Sequence, residues 1–373
     1  MADIHINPVT GVDAPGNGTF ANPYATALYA VTNNVYTDRY LFANEGVHDF
    51  TVPLLIPNAL NIWKPFFSGD FTIFTAYDSG GSVTVTLPDG TTAVGANIDG
   101  GGIASYWINQ TDLPWTLLWS YLKFTNFDGT NGQKYSLASG SLYRCEFENW
   151  TNVVGYVTEV PGTSMVKDCY FHDISGVGGG AIGLINSNCQ AINCKVNNIR
   201  GNNSVIQGFT GYNNITISNN LITDYDDNNT AISNLAFGGE TSHNTVISDK
   251  TGQLGIYSGG TYDAGRWVVH SNLVANFSGL SFPLIIKNDT GLYAGRNGWY
   301  NCNNTTTGAV FAQINEESLD IIDSGPDPFV DSGAGDYRLA PGGVFSGKGW
   351  GNTDIGYDNN SGGGGNNIFI LND

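Results

Sequence analysis

A segment of about two dozen residues recurs eight times along this chain. Each copy centres on an apolar residue: Phe124, Phe147, Phe171, Val196, Leu221, Val246, Leu273 and Trp299. Successive spacings run from 23 to 27 residues. A unit this short holds two or three short strands and cannot close a core alone. Stacked on its neighbours, it can. The arrangement that satisfies this is a coil of parallel strands. Each repeat makes one turn and rises by about 4.8 Å. The chain is therefore expected to be all-β, with like side chains above like.

Two ladders support the stacking. One is polar: Asn126, Asn149, Asp173, Asn198, Asp224, Asp249, Asn276 and Asn301. Asn and Asp suit a sharp turn because they tolerate left-handed backbone, and an Asn amide can bond the next Asn. The other is a thiol ladder, Cys145, Cys169 and Cys194, continued by Asn219 and Asn244. It lies two residues before the apolar ladder and so faces inward. Its thiols read as small, reduced core fillers, since a disulfide between adjacent parallel strands demands particular geometry.

Composition closes off several classes. Fourteen Lys and Arg against 33 Asp and Glu leave a net charge of −19, which argues against nucleic acid and anionic membranes as partners. A hydrophobic share of 41% with 12% aromatics excludes a disordered chain. The N-terminus carries no basic and apolar export pattern. The five cysteines are an odd number without a CxxC pair, against a zinc site or a redox dithiol.

The segments 214–224 and Val166–Asp173 resemble rungs of the right-handed parallel β-helix, or pectin-lyase-like, superfamily, including its phage spike and decoration members. The ends resemble it too, in Ile4–Pro8 with Gly16–Thr26, and in Asp327–Asp331, Gly335–Pro341 and Asp354–Tyr357. The resemblance implies a right-handed parallel β-helix with a short N-terminal cap helix and an irregular C-terminal cap. It speaks for fold, because lyases, hydrolases, adhesins and phage spikes share it. Three regions are expected: an N-terminal cap with irregular turns over 1–95, regular rungs over 96–320, and a C-terminal cap with a Gly-rich tail over 321–373. Asn22–Asn33 is expected to be helical with Pro23 in its first turn. A hairpin is expected around Asp89 and Gly90.

Four constellations bear on chemistry. Asp224 and Asp227, with Asp249 one rung on, are the carboxylates an enzyme reading selects, because ladder neighbours approach the ~5 Å of a retaining glycosidase pair. Asp224, Asp226 and Asp227 are alternatively calcium ligands; otherwise they are turn and loop charges, and no cofactor is expected. A stripe of Arg144, Asp168, Asn193, Ser218, His243, His270 and Arg296 is read as outward-facing, with His243, His270 and Arg296 the acid/base or anion candidates. Trp119, Leu142, Val166, Ala191, Thr216, Thr241, Val268 and Ala294 form a small and apolar row, also read as outward. Such a row must be covered, and copies around a threefold axis would cover it. Trp107 and Trp115 are the glycan-stacking candidates.

The resulting expectation is a structural and binding protein on the exterior of a bacteriophage particle, as a capsid decoration or short spike. It would be a homotrimer assembled in the host cytoplasm, contacting other virion proteins and polysaccharide. No catalytic residue is assigned in that reading. The alternatives are a polysaccharide lyase or glycoside hydrolase, and a bacterial surface adhesin.

Overall fold

The computed structural model describes residues 3–34, 39–49, 72–101, 117–128, 140–160, 164–226, 229–248, 250, 253–258, 267–277, 282–286, 292–302, 321–349 and 353–357. Among these, the chain winds as a parallel β-helix with three sheets. The first sheet has eleven strands, from Asp3–Ile6 through Ser141–Tyr143 to Leu292–Gly295. The second also has eleven. Its central rungs are Leu122–Thr125, Glu146–Trp150, Tyr170–Ser175, Lys195–Arg200, Leu221–Tyr225, Thr245–Ile247 and Leu273–Ala275. The third has six, from Tyr156–Val160 to Phe282–Ile286. Neighbouring strands within all three pair in parallel. Because the first sheet begins at Asp3, residues before 95 already contribute rungs.

Two corners set every side chain's direction. Asn126, Asn149, Asp173, Asn198, Asp224, Asn276 and Asn301 have φ between 47° and 62°. They close the second sheet one above another, with Asn301 Nδ2 donating to Asn276 Oδ1 at 3.0 Å. Asp249 lies outside the described residues. The other corner joins the first sheet to the second. There Tyr121, Arg144, Asp168, Asn193, Asn219, His243, Ser271 and Arg296 have φ between 52° and 56°. The expected polar stripe thus shifts by one residue in two rungs, where Asn219 and Ser271 stand in place of Ser218 and His270.

That left-handed corner overturns the outward reading of the apolar row. Two successive residues point out at the corner, so strict alternation cannot be carried through it. Trp119, Leu142, Val166, Ala191 and Thr241 are buried inside the coil. In the same column the register places Ile217 and Val269, not Thr216 and Val268. Thr216 and Val268 are half-buried neighbours, and Ala294 pairs with Val269 through its backbone. Five of the eight residues expected to face partner copies are therefore core, and those five give a trimer no surface.

The central apolar column holds in part. Phe124, Phe147 and Phe171 stack with centroids 5.0 and 4.5 Å apart, and Val196 pairs with Phe171. The next members are Ile222 and Val274, because Val196 pairs with Ile222 and Val246 with Val274. Leu221 and Leu273 face the other side, yet they too are buried. A sheet covered on both faces loses the alternation that marks inside from outside.

The thiol column shows the same one-residue shift. Cys145, Cys169 and Cys194 are fully buried and free, and Asn220, not Asn219, continues them into Asn244, Asn272 and Asn297. Burial pushes the Cys169 thiol well up, so it sits as an inert filler. Along the asparagines, each Oδ1 accepts the backbone N–H of the rung before. The distances are 3.0 Å for Asn220 to Asn244 and 3.1 Å for Asn244 to Asn272. Each Nδ2 donates to the next Oδ1 and to a first-sheet carbonyl, as Asn244 does to Ile217 O at 2.9 Å.

The cap helix is shorter than expected, running Ala27–Asn33. Thr26 is its N-cap, and the Asp13 carboxylate accepts from the Ala25 and Thr26 N–H groups. Asp13 fixes that stretch as non-helical, which leaves Pro23 outside the helix. The hairpin pairs Thr84–Thr86 with Thr92–Val94 around Gly90 at φ 82°.

Replacing Asn244 with Ala orphans the buried Asn220 N–H and removes the Asn244 bonds to the Ile217 carbonyl, Asn220 Nδ2 and Asn272 Oδ1. It should cost about 2–4 kcal/mol, since each unsatisfied buried group costs roughly 1–3 kcal/mol. Asn276→Ala, at an exposed corner, should cost about 1–2 kcal/mol from left-handed backbone alone. Urea midpoints of the two variants check this; an Asn244→Ala loss no larger than that of Asn276→Ala would refute the role of the buried ladder.

Candidate functional site

The second sheet's outer face carries the chemistry. Residues flanking the inward column point out, giving Lys123 and Thr125, then Glu146 and Glu148, Tyr170 and His172, Lys195 and Asn197, and Leu221 and Thr223. Two structures cover parts of this face. The hairpin packs on its early rungs, with Val85 fully buried and the Thr86 N–H donating to Glu146 Oε2 at 2.6 Å. The C-terminal segment covers its later rungs. There Phe329, Phe345, Ile355 and Tyr357 pack with Leu221, Ile247, Leu273 and Ala275. Gly356 has to be glycine at that contact: its φ is 101°, and a Cβ would lie 2.5 Å from Thr245 Oγ1.

Between the two covers lies a window over the Tyr170 and Lys195 rungs. On the hairpin side it is bounded by a charged network. Glu146 Oε1 accepts from Lys123 Nζ at 3.1 Å and meets His172 Nε2 at 3.1 Å. Glu148 also pairs with Lys123, and Asp173 Oδ2 lies 2.8 Å from His172 Nδ1. Burial alone would raise Glu146, but His172, the Thr86 N–H and Lys123 hold it below the ordinary carboxylate range. Burial alone would lower His172, but its bonds to Glu146 and Asp173 outweigh that and raise its pKa. The Glu146, Glu148 and His172 ligand atoms lie within 4.8 Å of one another, a spacing suited to a metal. Lys123 and His172 each already contact both carboxylates, so the group is an ion-pair network rather than a metal cage.

Toward the C-terminal cap the window deepens into a cavity of about 320 Å³ lined by Tyr170, Lys195, Asn197, Thr223, Asp224, Ile247 and Tyr337, together with the exposed Ala334 and Gly335. Lys195 Nζ sits 5.2 Å from the Tyr170 ring centroid and makes no ion pair among the described residues. Burial lowers its pKa, and Asp336, whose carboxylate is bound to Arg338, offsets only part of this. Asn197 Nδ2 donates to Thr223 Oγ1 at 2.8 Å.

Of the residues singled out in the sequence, Asp224 reaches this cavity, but its Oδ1 is held by Arg200 at 2.6 Å and Lys250 at 3.5 Å. Arg200 also lies 3.8 Å from Asp226. Two cations at one carboxylate disfavour calcium there and leave it poorly placed as an acid or nucleophile. Asp227, Asp249, Trp107 and Trp115 lie outside the described residues. His243 and His270 meet edge to face at 5.2 Å, but His243 is capped by Thr353 at 2.9 Å and Arg296 by the Gly349 carbonyl. Burial, then His270, pushes His243 down to about 4. The sequence reading passed over Glu146, Glu148, Tyr170, His172 and Lys195. Taking the two neighbours of each inward apolar residue and stacking them would have found the row.

No protein-family model matches this chain, and no curated protein does. Among solved structures it is similar to a GH136 lacto-N-biosidase from Eubacterium ramulus, at 12% identity and a TM-score of 0.36. That match covers 80% of this chain and 64% of the biosidase, less than two thirds of its length. It is also similar to a rhamnogalacturonan lyase, at 13% identity and a TM-score of 0.34, over 80% of this chain and 74% of the lyase. Similarity at this level says nothing of ligand or chemistry, which rest on the site itself.

His172 gives a pH signature. A histidine raised on folding contributes stability that is complete below its unfolded pKa of about 6.5 and is lost as pH rises through the folded value. Melting temperatures from pH 5.5 to 9 should therefore fall more steeply for the native chain than for His172→Gln. Parallel profiles would show that Glu146 and Asp173 do not stabilise the protonated form of His172.

Proposed function

We propose that this protein is a carbohydrate-binding β-helix whose window takes anionic sugars, such as uronic acids. The observation that carries the reading is Lys195: a cation without an ion-pair partner among the described residues, held over an aromatic face in a polar cavity. Tyr170, stacked on His172 at 4.3 Å and beneath Lys195, holds that cation in place, while Asn197 and Thr223 line the cavity with hydrogen-bonding groups. A carboxylate entering the cavity would restore the stabilisation that burial takes from the Lys195 ammonium. Binding rather than cleavage fits the carboxylates, since Glu146, Glu148 and Asp224 are each engaged by cations. A stiff rod that binds glycan without cutting it suits the exterior of a bacteriophage particle, and mass spectrometry of purified virions tests that setting.

Calorimetry with oligogalacturonate and oligoalginate tests the binding. Lys195→Met should weaken affinity at least tenfold and remove most of its salt dependence, and native binding should weaken as pH rises through the Lys195 pKa. Equal affinity for neutral and acidic oligomers, or an unchanged Lys195→Met variant, would sink the reading. Release of unsaturated or reducing ends during incubation would replace binding with cleavage.

A further inference from the structure

We infer that the window reads a short stretch of glycan, about two or three sugar units, with its length set by the two covers on the second sheet. The inference rests on the anionic-glycan reading above and adds the size of the recognised ligand. Along the coil axis the hairpin closes one side, where the Thr86 N–H is fixed to Glu146. The C-terminal segment closes the other, where Leu221 is already packed beneath Phe329, Phe345, Ile355 and Tyr357. Between them the cavity lining runs from the Tyr170 rung to the Ile247 rung, which is three steps. At about 4.8 Å per step this leaves roughly 14 Å. Among the described residues, the outward side chains of the Tyr170 and Lys195 rungs stay half-exposed, and Thr223, Asp224 and Ile247 continue the lining toward the C-terminal cover.

The cavity volume agrees. At about 320 Å³ it stands at the small end of ligand sites, which span roughly 300–1,000 Å³. The Ser332–Ala334 turn and Gly335 at the cavity rim belong to the C-terminal cover, which makes this cover a specificity element as well as a lid on the apolar rungs.

The test is calorimetry of the full chain with oligogalacturonates of one to six units. Affinity should rise from the monomer to the dimer or trimer. It should then stay within twofold to the hexamer, after correction for the number of equivalent registers. Ala334→Trp, at an exposed position on the rim, should leave the melting temperature unchanged while weakening the trimer at least tenfold and the monomer less than threefold. Affinity that keeps rising threefold or more per unit through the hexamer overturns the length limit while leaving anionic binding intact. Equal losses for monomer and trimer in Ala334→Trp overturn the role of the cover. Absence of binding at every length overturns the glycan reading together with this inference.

Discussion

Each turn of this coil has to hand its backbone hydrogen bonds to the turn above and below, and it can do so only if its corners fall in register. The left-handed residues at those corners meet that demand. They bend the chain sharply and keep the flanking strands parallel to their neighbours. Asn and Asp supply one corner because their short polar side chains tolerate that backbone and bond along the column. The other corner accepts Tyr121, Arg144 and His243, whose side chains leave the coil for the surface. Once the corners are set, every inward and outward position follows. Aromatic rings stack on aromatic rings, thiols fill tight levels, and asparagines take over where the interior is polar.

The same regularity creates a problem at the surface and then the site. A stack of parallel strands offers a long outer face, and whatever is apolar on it must be covered. The hairpin and the C-terminal segment do this from opposite ends. Leu221 and Leu273 are apolar because Ile355 and Phe345 lie over them. Tyr170 and Lys195 are amphipathic or charged in keeping with a half-exposed place between the covers. The site is the gap between two acts of burial.

Electrostatics divides that gap. In a chain so poor in cations, Arg39, Arg200, Lys123 and Arg338 are paired with carboxylates. The Glu146–His172–Asp173 series is likewise paired internally. Lys195 differs: it is desolvated, packed on an aromatic ring and unmatched by an ion pair among the described residues. A partly desolvated, unmatched charge gains when an opposite charge arrives to match it.

The sequence by itself determined the coil: a repeat near two dozen residues, an Asn and Asp corner, and an inward column from Phe124 to Val196 can stack in only one way. The Asp89–Gly90 hairpin was equally legible, because two short alternating runs flank a turn pair. Tertiary structure decided the rest. Leu221 and Ile222 are adjacent and both apolar, so no pattern tells which faces the core until the C-terminal segment is laid over one of them. Trp119, Leu142 and Val166 look outward if alternation is counted through Tyr121, Arg144 and Asp168, and only the left-handed φ at those corners turns them inward. The window has no local signature at all. It joins residues from separate rungs with a cap more than a hundred positions away, and that meeting exists only after the chain has coiled.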